Sequence, residues 1–336
     1  MEGIGLIFVF ELVWLAFFRK ETRFPHALLL IPGSLVCIWL LNVFRLVALI
    51  LIGYKISPQV ALVGFHSQAG WIAFMIVALG FVIVWRNLNW ARSPNTSRLR
   101  LVSSPSVAVT DPHVKETVSE ALIAQESPAT AAFLVPFLVI LAASFISKAA
   151  SGTFEWLYPL RFVVAALALW HFRPEFRKLT WRIDWTAPLA GAAVFFVWIG
   201  PSLWTHRYAA SSLGPALAAL SPAMRSLWII CRVLAATTTV PLAEELAFRG
   251  YLARRLVSRE FDAVSFCRLT IPSIALSSVA FGLMHGRQWP AGILAGLAYA
   301  GVLRWRGRFG DAVAAHVVSN LLLAAWVLAR GDWAQW

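Results

Sequence analysis

Acidic residues and cysteines are scarce in this sequence. Asp and Glu number 16 against 29 Lys and Arg, charged residues make up 13% of the 336 positions, and there are 3 cysteines. Cys37, Cys231 and Cys267 lie in or beside apolar runs and show no Cys-x-x-Cys spacing. That excludes a disulfide framework and a thiolate zinc site, and leaves them as core- or lipid-facing packing residues. The scarcity of charge excludes an ordinary soluble domain, because 60% of the residues are hydrophobic and 17 are tryptophan. Short alternating segments of the kind that build a spanning β-barrel are also missing. No secretory leader is legible: the early charge is Glu2, and the cations Arg19, Lys20 and Arg23 come after the first apolar run. The net charge of +13 does not call for a nucleic-acid partner, since most Arg and Lys sit in short loops beside apolar runs, the positive-inside pattern of membrane proteins.

What is present is a series of long apolar runs, near 3–18, 27–53, 60–85, 131–149, 158–172, 186–205, 225–248, 268–285, 289–304 and 311–329. A membrane span needs about 20 apolar residues, so the expected fold class is all-α: a polytopic transmembrane helical bundle of about ten spans in two units. The one long polar stretch, rich in Ser, Thr and Pro, reads as a cytoplasmic linker over 89–128 with a short helix near 112–125. It separates a first membrane unit, 1–88, from a second, 129–330. Its basic start (Arg86, Arg92, Arg98, Arg100) places it inside, and alternation then puts every dense basic loop on the same side: Arg19 to Arg23, Arg173 to Arg182, Arg254 to Arg259 and Arg304 to Arg308. The same alternation starts the first span outside, at Met1, so the chain reads as truncated at its N-terminus. Membrane lipid is a partner by composition alone.

Ionisable groups recur within the C-terminal runs. Glu244 and Glu245 lie late in one, with Arg249 four residues after Glu245 and therefore on its face. His285 closes another, and His316 and Asn320, also four apart, share a helix face in a third. A central charge in hydrocarbon costs on the order of 2.5–3.5 kcal/mol on the insertion scale, so such residues read as functional by default. Singly, each has an ordinary explanation: a wet helix end with a snorkelling Arg, a histidine at headgroup level, an interhelical hydrogen bond. Their conjunction on successive helices points instead to a site that holds and activates water. Two adjacent acids repel, and a carboxylate poised in that way suits a general base. Simple alternation places Glu244 toward the inner face and His285 toward the outer. They can meet if both lie near mid-bilayer or if the helix holding His285 is short or re-entrant, and a long helix through about 226–256 is expected to move Glu244 inward from its end. One Glu and two His could also bind zinc, but there is no His-Glu-x-x-His and Asn320 is a poor zinc ligand. The expectation is therefore no metal and no cofactor, with metal dependence kept as an alternative.

The set Glu-Glu-x-x-x-Arg (Glu244, Glu245, Arg249), Phe-x-x-x-His (Phe281, His285) and His-x-x-x-Asn (His316, Asn320) resembles the CPBP intramembrane proteases, the CAAX-processing and bacteriocin-processing group, over roughly 130–330. The resemblance implies a glutamate protease. Glu244 and His285 would activate a water for attack on a peptide carbonyl, His316 and Asn320 would stabilise the oxyanion, and Glu245 and Arg249 would orient the site.

In the first unit Asn42 and Arg45 share a helix face, and His66 opens the third run ahead of Gly70 and Trp71. Alone, these read as an interhelical pair and a loop histidine. Together, after the opening Glu2-Gly-Ile-Gly, they resemble the C-terminal half of exosortases, which are thought to be cysteine transpeptidases that cut C-terminal sorting signals using a Cys, an Arg and a His. The fusion of such a unit to a CPBP protease is similar to the exosortase E/protease family of the VPEID-CTERM system, which implies a multi-pass protein of the bacterial inner (plasma) membrane and a membrane-anchored, sorting-signal-bearing protein substrate. The family's nucleophilic Cys should precede the first run, where this sequence has Met1-Glu-Gly-Ile-Gly, and Cys37 is on the wrong element. Without a thiolate no acyl-enzyme forms, so the exosortase-like half is expected to be inactive as given. The alternative function, of another class, is a non-catalytic membrane scaffold or transporter. Convergence of Glu244, His285, His316 and Asn320 on one water-sized space would favour the protease, and their dispersal the scaffold.

Overall fold

A computed structural model describes residues 2–17, 19, 22–88, 128–152, 154–205 and 211–336. The linker expected over 89–128, with its short helix, lies outside the described residues save for its last position. Among the described residues there are helices and no strand. Contacts divide the chain into two compact units, Met1–Ile123 with Lys148–Glu155, and Ala124–Ser147 with Trp156–Trp336.

The first unit holds α1 (Glu2–Phe17), α2 (Leu30–Lys55) and α3 (His66–Asn87). Two apolar clusters join them: Ile7, Ile38, Val77 and Ala78 in one, and Leu15, Ala27, Phe81 and Trp85 in the other. The outward faces are as apolar as the core, with Leu46, Val47, Ile50 and Leu51 of α2 all exposed. A surface like that is stable only against lipid.

The second unit holds α4 (Pro128–Ala149), α5 (Pro159–His171), α6 (Thr186–Thr205), α7 (Pro222–Arg255), α8 (Ile271–Leu283), α9 (Trp289–Arg306) and α10 (Phe309–Arg330). Every apolar run of the sequence thus becomes a helix. Among the described residues five are long and apolar enough to cross a membrane, namely His26–Lys55, Gln68–Trp85, Ala129–Ala149, Pro222–Arg255 and Phe309–Arg330, and several others are shorter. The chain is a multi-pass membrane protein in which ten spans is an approximate number.

Local chemistry sets the helix ends that matter for the site. Ser221 caps α7 by accepting from the Met224 N–H, with Pro222 following. Thr270 and Ser273 form a reciprocal capping box at the start of α8. Gly307 and Gly331, both at φ 67°, end α9 and α10 in the left-handed conformation that glycine adopts without strain. The loop before α6 is tied to the α9–α10 turn: Arg306 donates to Asp184, and the Asp184 N–H donates to Asp311 Oδ1 at 2.7 Å.

α8 and α9 approach so closely that small residues are obligatory. A Cβ on Gly292 would lie 2.9 Å from the Gly282 Cα, and one on Gly296 would lie 2.9 Å from both the Cα and the Cβ of Ser278. Gly296→Leu is therefore expected to wedge the pair apart and cost about 1–3 kcal/mol of stability, as overpacking does. Thermal unfolding in detergent measures it, and an unchanged midpoint would contradict the close packing described.

The topological conflict between Glu244 and His285 disappears in this arrangement. α7 is continuous over 34 residues, so Glu244 lies well inside it, whereas α8 has only 13 residues. At 1.5 Å per residue α8 rises about 20 Å, well short of a hydrocarbon core of about 30 Å. His285, just past its end, need not reach the far surface.

Candidate active site

α7 supplies the acids, and it is not a uniform α-helix. Two π segments, Ala235–Thr239 and Leu246–Leu252, bracket the α turn Val240–Glu245. π turns inside α-helices are rare and often mark functional sites. Here the local sequence supports one. Thr237, Thr238 and Thr239 each donate a hydroxyl back to the carbonyl four residues earlier. The Val240 N–H reaches the Ala235 carbonyl, five residues back. The next residue, Pro241, has no N–H to continue that register. The Ala236 carbonyl is satisfied from outside instead, by Asn320 Nδ2 at 2.8 Å.

Behind the acids lies a buried ion pair. Arg249 donates to Glu245 Oε1 at 3.0 Å, and both side chains are 0% exposed. The second arm of Arg249 donates to the Gly296 carbonyl at 3.0 Å, and its guanidinium lies 4.3 Å from the Phe281 ring centre. The close α8–α9 packing therefore also presents an acceptor to Arg249. Glu245 Oε1 accepts a second bond, from His316 Nδ1 at 2.9 Å, while His316 Nε2 faces Glu244 Oε2 at 3.6 Å. One imidazole of α10 thus spans both carboxylates of α7. Its ring is fixed by Tyr299, stacked at 4.7 Å and 19°. The Tyr299 hydroxyl shares a hydrogen bond with Ser319 Oγ at 2.5 Å, and Ser319 donates to the His316 carbonyl.

His285 is held by its own helix, with Nδ1 2.8 Å from the Phe281 carbonyl oxygen. A carbonyl only accepts, so Nδ1 carries the hydrogen, and in the neutral ring the lone pair belongs to Nε2. Phe281 and Trp198 pack on the ring at 4.6 and 5.4 Å.

Glu244, His285, His316 and Asn320 line one cavity of about 210 Å³, with Tyr299 and Ser319 beside them. Glu245 and Arg249 stand behind its wall. Of the residues singled out in the second unit by sequence, all six are thus either in this wall or directly behind it. Sequence reasoning missed Tyr299, Ser319, Trp198 and Arg232, which also line the cavity. A signal existed for Tyr299: between Pro290 and Leu303 of α9 it is the one residue with a polar side-chain atom. Among the described residues no three His, Cys, Asp or Glu side chains gather as a metal-binding group.

In the first unit Arg45 and His66 meet. Arg45 Nη2 donates to the His66 carbonyl at 2.7 Å and lies 3.3 Å from His66 Nδ1, with Gly70 beside the guanidinium. A π segment, Val60–Phe65, delivers His66 to the first position of α3. Asn42 is exposed one turn earlier on α2. Cys37, also exposed, is eight residues from Arg45 on the same helix, about 12 Å along its axis.

Comparison with known families gives two matches. Residues 226–322 match the family model described as type II CAAX prenyl endopeptidase Rce1-like, and residues 2–83 match that of the transmembrane exosortases (EpsH). The chain thus joins an exosortase-like N-terminal domain to a Rce1-like CAAX protease domain, and the two matches support an intramembrane protease of membrane proteins. No curated protein and no solved structure gives a match.

Proposed function

We propose that residues 129–330 form a glutamate-type intramembrane endopeptidase of the bacterial inner membrane, which hydrolyses a peptide bond in a membrane-anchored protein as part of C-terminal sorting-signal processing. One observation carries the reading: Glu244, His285, His316 and Asn320 share a single small cavity, backed by a buried Glu245–Arg249 pair. The same four side chains dispersed over the helices would have favoured a scaffold.

The reaction follows from the donors and acceptors. A water in the cavity gives a proton to Glu244, with His285 Nε2 as a second acceptor, and its oxygen attacks the scissile carbonyl. Negative charge develops on the carbonyl oxygen. His316 is suited to meet it when both ring nitrogens carry hydrogen: Nδ1–H is committed to Glu245, and Nε2–H, on the side of Glu244, can donate to the oxyanion. The remaining amide hydrogen of Asn320 is a second donor. The proton taken from water then goes to the leaving amine. Glu245 and Arg249 touch no substrate in this scheme and act as positioning residues for His316. Metal independence is part of the proposal, because His316 spends its nitrogens on two carboxylates and His285 spends Nδ1 on a carbonyl.

Co-expression of the chain with a membrane-anchored sorting-signal protein tests the reading. Cleavage is expected in membranes, to persist under phenanthroline, and to disappear in Glu244→Gln. Equal cleavage by the variant would move the activity elsewhere, and loss under the chelator would overturn the metal-independent form. For residues 1–88 we propose no reaction, since the Arg45–His66 pair has no thiolate within reach among the described residues.

A further inference from the structure

α6 carries no ionisable residue, and the hydrolytic chemistry leaves it without a task. Yet it gives the cavity an apolar wall of Val194, Phe195 and Trp198. Gly191 sets the register of that wall. A Cβ there would collide with the Ala315 carbonyl oxygen and lie 2.9 Å from the Val318 Cβ, so α6 presses its backbone onto α10 beside His316. Residues three, four and seven positions on return to the same helix face, and these are Val194, Phe195 and Trp198. Phe195 meets Trp326 of α10, with ring centres 6.3 Å apart. Trp198 meets His285 edge to face, with centres 5.4 Å apart and planes at 82°. That imidazole is itself tied to the Phe281 carbonyl at 2.8 Å. The indole therefore cannot swing aside without moving the imidazole.

A water held by His285 Nε2 and Glu244 lies a hydrogen bond, about 3 Å, from each. The attacked carbonyl carbon comes within about 3–3.5 Å of that water. The two Cα atoms that flank a peptide bond are within about 2.5 Å of its carbonyl carbon. With the indole directly on the imidazole, the side chain on one of these Cα atoms is the part of the substrate that meets Trp198. The carbonyl itself turns to the donors His316 and Asn320, which leaves the apolar wall for the side chain.

We propose that Trp198 is a specificity-determining residue: its ring bounds the subsite for one of the two substrate side chains that flank the cut bond, and restricts that position to small residues. The inference rests on the proposed protease reading of the cavity.

The test uses the full chain in detergent, with peptides that span the bond cut in the membrane-anchored sorting-signal protein. Ala, Val, Leu and Phe are placed in turn at each of the two flanking positions. At one position kcat/KM is expected to fall about 10- to 100-fold from Ala to Phe, the scale on which apolar pockets discriminate by size. In Trp198→Ala the ratio between the Ala and Phe peptides at that position is expected to approach one or to invert, while the ratio at the other position stays as in the wild type. Trp198→Phe is expected to lie between. A ratio taken within one preparation does not depend on how much of the protein is folded, so a merely structural role for Trp198 would lower every rate and leave the ratio alone. A flat wild-type series, or a ratio unchanged in Trp198→Ala, with cleavage still lost in Glu244→Gln, would overturn this inference alone. Cleavage that survives Glu244→Gln would overturn the protease reading and this inference with it. If Trp198→Ala fails to fold, Trp198→Phe, which keeps an aromatic ring beside His285, carries the same comparison.

Discussion

Glu244→Gln is expected to lower the cleavage rate by about 10²- to 10⁴-fold, the usual contribution of a positioned general base, while leaving the protein folded. The two halves of that expectation have separate grounds. Gln has the shape of Glu and can still hydrogen-bond water, but it cannot take a proton, so the loss should fall on kcat with KM little changed. The fold should survive because Glu244 faces the cavity and keeps 15% side-chain exposure, with His316 Nε2 3.6 Å from its carboxylate. Single-turnover cleavage in detergent, read beside the unfolding midpoint, checks both. A variant that cuts at more than a tenth of the wild-type rate would sink the assignment of Glu244 as base.

The largest structural effect is expected at Arg249→Ala. Removing one member of a buried ion pair leaves an uncompensated charge and typically costs about 3–5 kcal/mol. Here the pair is 0% exposed on both sides, and Glu245 Oε2 has no hydrogen-bond partner among the described residues. The same change removes the donor to the Gly296 carbonyl and the cation over Phe281. Denaturant unfolding in mixed micelles measures the loss. The double variant Glu245→Gln with Arg249→Met should recover much of it, since a neutral pair strands no charge, yet it should remain a poor enzyme because His316 loses its carboxylate partner. Recovery of full activity in the double variant would contradict the positioning role given to the pair.

The helices of this protein were legible in its sequence because lipid demands it: a span has to be apolar along most of its length, and each run near 3–18 through 311–329 became a helix. The Glu245–Arg249 contact was legible too, since four residues on a helix is a fixed geometry. The π turns were not. Hydrophobic periodicity is blind to one extra residue in a turn, and the local marks, three threonines and Pro241, make sense only once the Asn320 bond to Ala236 is known. The convergence of Glu244 and His285 was legible as a condition, a long helix through about 226–256 and a short one before His285. Counting spans assigns faces of the membrane, and it fails where one helix runs for 34 residues and another for 13. Arg232 was not singled out, because two of the rings beside it, Tyr158 and Trp336, come from distant places in the chain, and only Trp228 is a neighbour on its own helix.

The proposed chemistry constrains what can be cut. In an α-helix each carbonyl accepts from the N–H four residues on, whereas the reaction needs a carbonyl that accepts from His316 and Asn320 beside Glu244. The segment to be cleaved must therefore unwind first and expose carbonyls that its own N–H groups had covered. Unwinding in lipid is expensive, and its cost falls on the substrate's sequence rather than on the enzyme. Gly or Pro placed beside the cleaved bond is therefore expected to speed cleavage, and a run of Leu to slow it, as a series of such substrates in membranes would register. On that account the protein chooses among neighbours in the bilayer partly by how readily their helices come undone.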